Sequence, residues 1–334
     1  MAFQVSPGVL VQERDLTRII PAVSTAIGAF AGSFNKGPLD EIVSISSEQE
    51  LVDTFGKPDS TNFEYFFSAA NFLQYSNSLR VVRATQTNAV NASTSGTGVL
   101  IKNTDDWTNN YASGGQAGNA TFVAREAGTD GNNLQVSTCP NAAAYEEEGA
   151  TTVNDASTAV GDTVVVTTSG AALNVGDIIS FSTTAATNDY DDGEQYRVTN
   201  IATNDVTIVQ HPRGTGGLKR ALTDGSNIRR RWKYYDAVDG APGTSTYVSE
   251  RNGANDEIHV VVIDEDGGIS GVPGTILETF SKLSKASDAK DPQGNDNYYP
   301  NVIYTKSEYI YWTKHHASGS NWGNAASGTT FTAV

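Results

Sequence analysis

The side chains that most often carry catalysis or metal binding are sparse in this sequence. It contains one cysteine, Cys139, and four histidines, His211, His259, His315 and His316. Neither a Gly-x-Ser-x-Gly nucleophile elbow nor a His-Glu-x-x-His zinc helix occurs. Cys139 has no second cysteine for a redox pair, and adjacent histidines point in different directions and rarely chelate one metal ion. We therefore predict no catalytic residue, no metal site and no cofactor.

Two loops have compositions that resemble ligand sites. The acidic loop around Tyr190 does not have the spacing of a twelve-residue calcium loop, so a solvated turn is the preferred interpretation. Its carboxylates are Asp189, Asp191, Asp192 and Glu194. The glycine-rich turn from Gly128 to Asn133 lacks the Gly-Lys-Ser/Thr ending and the following helix of a phosphate cradle.

Basic and aromatic clusters leave more than one interpretation open. The run from Arg229 to Lys233 predicts a contact between subunits with this acidic protein's own surface, and binding of single-stranded nucleic acid on Trp232 is the weaker alternative. The aromatic stretch from Asn297 to Trp312 could bind sugar, although packing under a loop is commoner. For Arg80 and Arg83, we expect the aliphatic part of each side chain to pack along the strand that carries it. The alternative is that one of them forms an ion pair across a subunit interface.

Composition bounds the class of protein. The chain has 334 residues, enough for two or three domains. Its 22 Lys and Arg residues and 38 Asp and Glu residues give a net charge of −16. This charge argues against a protein whose main role is to bind nucleic acid. One cysteine excludes an internal disulfide and fits a reducing cytoplasm. Neither a membrane span nor a signal peptide is expected from the sequence.

One stretch, from Thr61 to Ala84, predicts a capped helix followed directly by a strand. Thr61 and Glu64 have capping-box spacing, and Asn77 is a candidate left-handed cap. Apolar residues at helical spacing cover so wide an arc that we expect the helix to be buried on two sides. The predicted core of this unit consists of Phe66, Phe67, Phe72, Leu73, Leu79, Val81 and Val82.

The N-terminus reads as a lone strand. Apolar residues occupy odd positions on either side of a turn-like break, with no hairpin partner nearby in sequence. The residues concerned are Phe3, Val5, Pro7, Gly8, Val9 and Val11. From the pattern, the strand either docks on its own domain or is an exchanged arm that adds a strand to a neighbouring subunit.

Five segments resemble the contractile tail sheath proteins of T4-like bacteriophages. They are Ser6–Val9, Leu51–Pro58, Asn71–Ala84, Ala127–Leu134 and Asp256–Val262. The resemblance is strong over the first 90 residues, good near 120 to 140 and 235 to 312, and absent from about 149 to 234.

The resemblance implies a structural virion protein assembled in the host cytoplasm. It implies stacked helical rings of the chain around a tail tube, and contraction that drives the tube through the host envelope. It favours the exchanged arm, and it implies the tail tube, baseplate and tail terminator proteins as partners, with no direct nucleic acid binding and no membrane insertion. Family members normally continue further, so we expect the chain to be the N-terminal portion of a longer subunit whose last domain is incomplete.

The predicted fold class is a multidomain α+β or α/β protein with an inserted all-β, barrel-like domain. The predicted divisions are an extended arm (1–21), an α/β unit (22–90), the start of a second domain (91–148), a surface-facing insertion (149–234) and a return to the second domain (235–334). Two other functions stay open: an adhesin or carbohydrate-binding module that uses the insertion, and a glycoside-cleaving tail enzyme that would need two carboxylates roughly 5 to 10 Å apart.

Overall fold

The computed structural model describes residues 27–85, 88–96, 98–114, 120–316 and 321–332. The predicted N-terminal arm, residues 1–21, lies outside the described residues. The described chain is a mixed α+β structure, mostly strands arranged in several sheets. Among its helices, none combines the length and the apolar composition needed to cross a membrane.

The first unit is a three-stranded sheet with two helices on one face. Its elements are β1 (Ile27–Ser33), β2 (Val43–Ile45), α1 (Glu48–Phe55), α2 (Phe63–Leu73) and β3 (Ser78–Ala84). The strand order is β1-β3-β2, with β1 parallel and β2 antiparallel to β3. Gly28 lets α2 lie close to β1, as expected, because a Cβ there would be 2.6 Å from the Phe72 ring.

The helix caps differ partly from the predictions. Ser47 caps α1 by accepting from the amide of Glu50, but the Glu50 carboxylate accepts from Ser46 and not from Ser47. The predicted capping box at Thr61 is wrong: α2 starts later, and the Asp59 carboxylate accepts from the Thr61 amide at 2.7 Å. The same Asp59 carboxylate also accepts from the Thr61 hydroxyl at 2.6 Å, so it takes up both polar groups that the box would use.

Asn77 is not in the left-handed region, so the predicted C-cap is also wrong. The residue after α2, Gln74, keeps a right-handed helical conformation.

The second unit begins with β4 (Asn91–Ser93), α3 (Thr104–Asn110), β5 (Phe122–Ala127), β6 (Leu134–Cys139) and α4 (Ala142–Tyr145). The strand expected at 98–102 is reduced to one bridge between Val99 and Asn91. The helix α3 was not predicted in this Thr- and Asn-rich segment. The Asn103 side chain caps it, accepting from the amide of Asp106 at 2.9 Å.

The insertion is all-β, as predicted, but it is not a closed barrel. Its strands are β7 (Glu146–Thr152), β8 (Val164–Val166), β9 (Ile178–Ala185), β10 (Tyr190–Ala202), β11 (Asp205–His211) and β12 (Ser226–Arg231). They form an open sheet in the order β7-β12-β9-β10-β11-β8. The two edge strands meet at a single bridge between Val153 and Thr167, since β8 is too short for a continuous ladder with β7.

The insertion has its own core. Twelve buried side chains make this core, and they are separate from the clusters that fill the other units. They are Val153, Val165, Leu173, Ile179, Phe181, Tyr196, Val198, Val206, Ile208, Leu218, Leu222 and Ile228.

After the insertion come α5 (Thr246–Ser249), β13 (Glu257–Asp264), β14 (Thr275–Ser284), α6 (Tyr299–Lys306) and β15 (Ile310–Trp312). The sheets β14-β13-β6 and β15-β5-β4 contribute to one large core, so residues before and after the insertion pack together. The strand β13 is central and fully buried over Val260–Ile263, as predicted.

The helical spacing of Ile276, Phe280 and Leu283 predicts a short amphipathic helix, but this prediction is wrong, because these residues lie on β14. They pair with Ile263, Val260 and Ile258 of β13 respectively. Two register shifts place extra residues in β14 and break the period of two. Apolar side chains on one strand therefore acquire a spacing of three to four residues, which resembles that of a helix.

The first unit is joined to the second by the buried side chain of Arg83, at the end of β3. Its guanidinium group donates to four carbonyl oxygens: those of Phe34, Asn35 and Gly37 in the first unit, and that of Ala127 at the end of β5. Arg83 is 5% exposed. Neither the packed stem nor the intersubunit ion pair considered for this residue describes its role, which is to hold two units of one chain together.

Glu126 completes this joint. Its carboxylate accepts from the Gly37 amide at 2.6 Å and lies 3.9 Å from Arg83 Nη1. Loss of hydration raises the pKa of Glu126, against the lowering effects of the Gly37 amide and of Arg83.

A second buried cation, Lys285, anchors the C-terminal segment. Lys285 Nζ donates to the carbonyls of Pro140 at 2.7 Å and Asn255 at 2.8 Å, and it lies 4.9 Å from the centre of the Trp322 ring. Burial lowers the pKa of Lys285 to about 8, against the raising effect of Asp256.

We expect Arg83→Met to lower the free energy of unfolding by about 3–5 kcal/mol, because four buried carbonyls lose their donor and Glu126 loses its cation. Urea denaturation measures this change. Arg80→Met is the matched control: Arg80 is exposed on the opposite face of the same strand, and its loss should change stability by no more than about 0.5 kcal/mol. Equal losses of stability in the two variants would contradict the role of Arg83 in joining the two units.

We expect Lys285 to make stability depend on pH above neutrality. Its folded-state pKa, about 8, is below the value of an unfolded lysine, so the unfolded state binds more protons between those two pH values. Stability therefore rises with pH in that window. Urea denaturation at pH 7.5 and 9.5 should show this rise in the wild type and a smaller one in Lys285→Met. Lys57 is exposed, so Lys57→Met is the control and should show the same rise as the wild type. An unchanged dependence of stability on pH in Lys285→Met would refute the role of Lys285.

Candidate functional site

Two of the reactive side chains in the described part of the chain, Cys139 and His259, are fully buried. No group of three His, Cys, Asp or Glu side chains in the described ranges is arranged to hold a metal ion. Burial raises the pKa of the Cys139 thiol to about 12, so the thiol stays protonated and unreactive at neutral pH. His259 is fully buried: its Nδ1 accepts from the Lys282 amide, and its Nε2 lies 2.9 Å from the Gly240 carbonyl.

The adjacent histidines pack separately among aromatic rings. His315 Nδ1 lies 2.7 Å from the hydroxyl of Tyr299, while the ring of His316 stacks on Trp322. Burial lowers the pKa of both imidazoles, which favours their neutral forms. This arrangement supports the structural role predicted for the two histidines.

The predicted acidic loop and the predicted basic cluster meet within one chain. Asp192 pairs with Arg229 and Arg231, while Glu194 pairs with Arg220 at 2.9 Å. These carboxylates therefore face guanidinium groups of the same chain. Asp189 accepts instead from the Thr183 hydroxyl.

The remaining arginines of the cluster, on β12, form ion pairs with β7, where the chain enters and leaves the insertion. Arg230 and Arg231 pair with Glu147 and Glu146, the residues opposite them on the neighbouring strand β7. Trp232 is 7% exposed, and its Nε1 donates to the Ser137 hydroxyl at 2.9 Å. The cluster thus makes ion pairs inside the subunit, while the contact between subunits stays a prediction. The face of Trp232 is not free for a nucleic acid base.

The aromatic stretch surrounds a cavity of ≈ 390 Å³. Its aromatic lining comprises Trp107, Tyr298, Tyr304, Trp312, His315 and Trp322. The indole donors are satisfied internally, for example Trp107 Nε1 by the Trp312 carbonyl at 2.9 Å. The rings of Trp107 and Tyr304 stack on each other with centroids 4.4 Å apart. The geometry supports packing, since a sugar would need free ring faces and free donors.

The surfaces left open belong mainly to the first unit. On α2, Phe63 and Phe67 lie one helical turn apart and are 47% and 49% exposed, while Tyr65 is 42% exposed on the other flank. The helix is therefore buried on one side and not on two as predicted. We call Phe63 and Phe67 the α2 flank. Half-exposed phenylalanines that lie side by side are typical of an interaction surface.

The predicted core residues divide between the interior and the surface. Phe66, Leu79 and Val81 are buried, and Phe72 and Leu73 pack against them partly buried. Phe67 is exposed, and Val82 is half-buried on the opposite face of β3. The predicted arm residues, Phe3, Val5, Pro7, Gly8, Val9 and Val11, lie outside the described residues.

Sequence comparison relates the first unit to a known family. Residues 25–84 match the family described as tail sheath protein Gp18 domain III N-terminal region. The chain is 35% identical over 131 residues to the tail sheath protein of Enterobacteria phage T4, an alignment covering 39% of this chain and 20% of that protein. It is 40% identical over 78 residues to the tail sheath protein of Vibrio phage KVP40, covering 23% of this chain and 12% of that protein.

The aligned segments thus span a fifth or less of these relatives. The family is structural and not enzymatic, and its members are components of the phage virion. The matched domain and these two relatives show that the first unit is similar to tail sheath proteins of the T4-like bacteriophage type.

Proposed function

We propose that the chain is a structural subunit that polymerises around a phage tail tube and contracts to drive the tube through the host envelope. The α2 flank is the observation that carries this proposal. It lies in the segment that matches the sheath family, and it exposes two neighbouring phenylalanine rings that an interface between subunits could bury. The proposed partners are further copies of the chain, the tail tube, and the baseplate and tail terminator proteins.

The mechanism we propose is mechanical. Interfaces between rigid units exchange one packing for another, and the difference in free energy between the two packings drives contraction. The Arg83 joint supports this proposal, because it lets the first and second units move as one body. No nucleotide or cofactor is needed for such a step.

We also propose the following organisation. Residues 22–90 form the sheath domain and residues 149–234 an inserted, surface-facing domain, while 91–148 and 235–334 together form a second domain. The separate cores support this division. Residues 1–21 would form an arm that adds a strand to a neighbouring subunit.

Electron microscopy tests the assembly. We expect striated tubes from the purified full chain or in the native particle, and no tubes from a sample that lacks residues 1–20, because the arm connects neighbouring subunits. Tubes formed equally well without residues 1–20 would refute the arm. An absence of tubes in both samples would contradict polymerisation by this chain.

The α2 flank is tested by Phe67→Ser. We expect the variant to pellet fewer tubes than the wild type, because the half-exposed ring is lost from the interface. Its free energy of unfolding should change by about 1 kcal/mol or less, because the ring is not part of the core. Asn71→Ser, on an exposed position of the same helix, is the control and should assemble as the wild type does. Normal assembly of Phe67→Ser would exclude the flank from the lattice.

A further inference from the structure

Within residues 27–85 and the other described ranges, no element covers one face of the first unit's sheet. The helices α1 and α2 pack on the side of Phe30, Leu79 and Val81. The opposite side, which we call the outer sheet face, carries Ile27, Ala29 and Ala31 on β1 and Arg80 and Val82 on β3. Ile27 is 62% exposed, Ala29, Ala31 and Arg80 are exposed, and Val82 is half-buried.

A bare face is unusual for this kind of strand pairing. β1 and β3 run parallel over seven paired residues, from Ile27 opposite Ser78 to Ser33 opposite Ala84. Parallel strands occur almost always with both faces covered. The outer sheet face is also flat, since its β1 side chains are mostly alanine. It can therefore receive a protruding apolar group, and Arg80 places a positive charge beside that surface.

The hairpin tip, residues 264–275, has the complementary character. Val272 is 62% exposed and Ile269 is 39% exposed, and both lie close in sequence to the exposed carboxylate of Asp266. The buried Asp264 shapes this tip: its carboxylate accepts from the amides of Ile269 at 3.0 Å and Ser270 at 2.6 Å. An apolar, acidic projection is thus held in a fixed shape before any contact forms.

We propose that the hairpin tip of one copy docks on the outer sheet face of a second copy. Val272 and Ile269 would cover the alanines of β1, and Asp266 would pair with Arg80. A second copy is the occupant favoured by charge complementarity. Its tip supplies protruding apolar side chains for the flat apolar face and a negative charge for Arg80. Two outer sheet faces packed against each other would instead bring two Arg80 side chains together.

The geometry of this contact also fits a helical array. It joins two different surfaces of the same chain, and a contact of that kind generates an open helix when its rotation does not close a ring. The inference rests on the proposed function, since it specifies one contact of the sheath.

Charge reversal tests the pairing directly in the full chain. Sedimentation velocity over a concentration series should show self-association of the wild type. In Arg80→Glu and in Asp266→Arg, each measured alone, the attraction becomes a repulsion, so association should weaken about tenfold or more. An equimolar mixture of the two variants should regain association, because each remaining or reversed charge then meets an opposite one.

Arg197→Glu is the control, since Arg197 is exposed on β10 and the change in charge is identical. It should associate as the wild type does. A wild type that stays monomeric at every concentration, as it would if residues 1–26 of the same chain covered the face, overturns the proposal. So does unchanged association of the single variants, or a mixture that fails to recover. If striated tubes are seen together with any of these outcomes, the proposed sheath function is retained and only the proposed contact is rejected.

Discussion

The buried guanidinium group of Arg83 is a central contact between the sheath domain and the rest of the chain, beside the hydrogen bonds from Gly37 to Glu126 and from Leu39 to Lys102. Arg83 supplies donors to three carbonyls of the loop after β1 and to one carbonyl at the end of β5. A lysine could not do the same, because its ammonium has three donors in a different geometry and lacks the planar fork. Without Arg83, these carbonyls would be buried with no partner. Buried hydrogen bonds and charge therefore hold the joint together.

Several positive charges inside the subunit are paired with acidic groups, whereas the molecule as a whole keeps an excess of negative charge. The cluster Arg229–Arg231 is neutralised by acidic groups of the same chain, so the insertion is fastened at its base by paired charges on β7 and β12. The net charge of −16 remains on the molecule as a whole. Such a charge keeps free subunits apart in solution until specific contacts form. This balance suits a protein that must stay soluble before it assembles.

The sheath domain is the part of the molecule with the most unsatisfied apolar surface. Its core is small, its helix α2 is buried on one side, and its sheet is covered on one face. The insertion, by contrast, encloses its own core. In the proposed lattice, this difference favours an inner position for the first unit and an outer position for the insertion. A domain that reserves surface for its neighbours gains part of its stability on assembly.

Many strands of the fold follow from local sequence, since alternation and turn residues predict β1, β3, β6, β13 and four strands of the insertion, β8 to β11, although not β7 or β12. The failure at β14 has a physical cause: two bulges changed its apolar spacing, and pairing with β13 determined its conformation. The burial of α2 was overestimated because a wide apolar arc is expected both of a helix buried in a monomer and of one that meets a partner.

The sequence by itself determined the class of protein, the absence of recognisable catalytic motifs and the family of the first unit, because these depend on residue types and short-range order. Tertiary structure alone decided which charges meet. The pairing of Arg229–Arg231 with the acidic residues of β7 and β10, and the four carbonyls around Arg83, join residues far apart in the chain. Spacing along the sequence holds no information about such contacts, since they arise from the packing of whole elements.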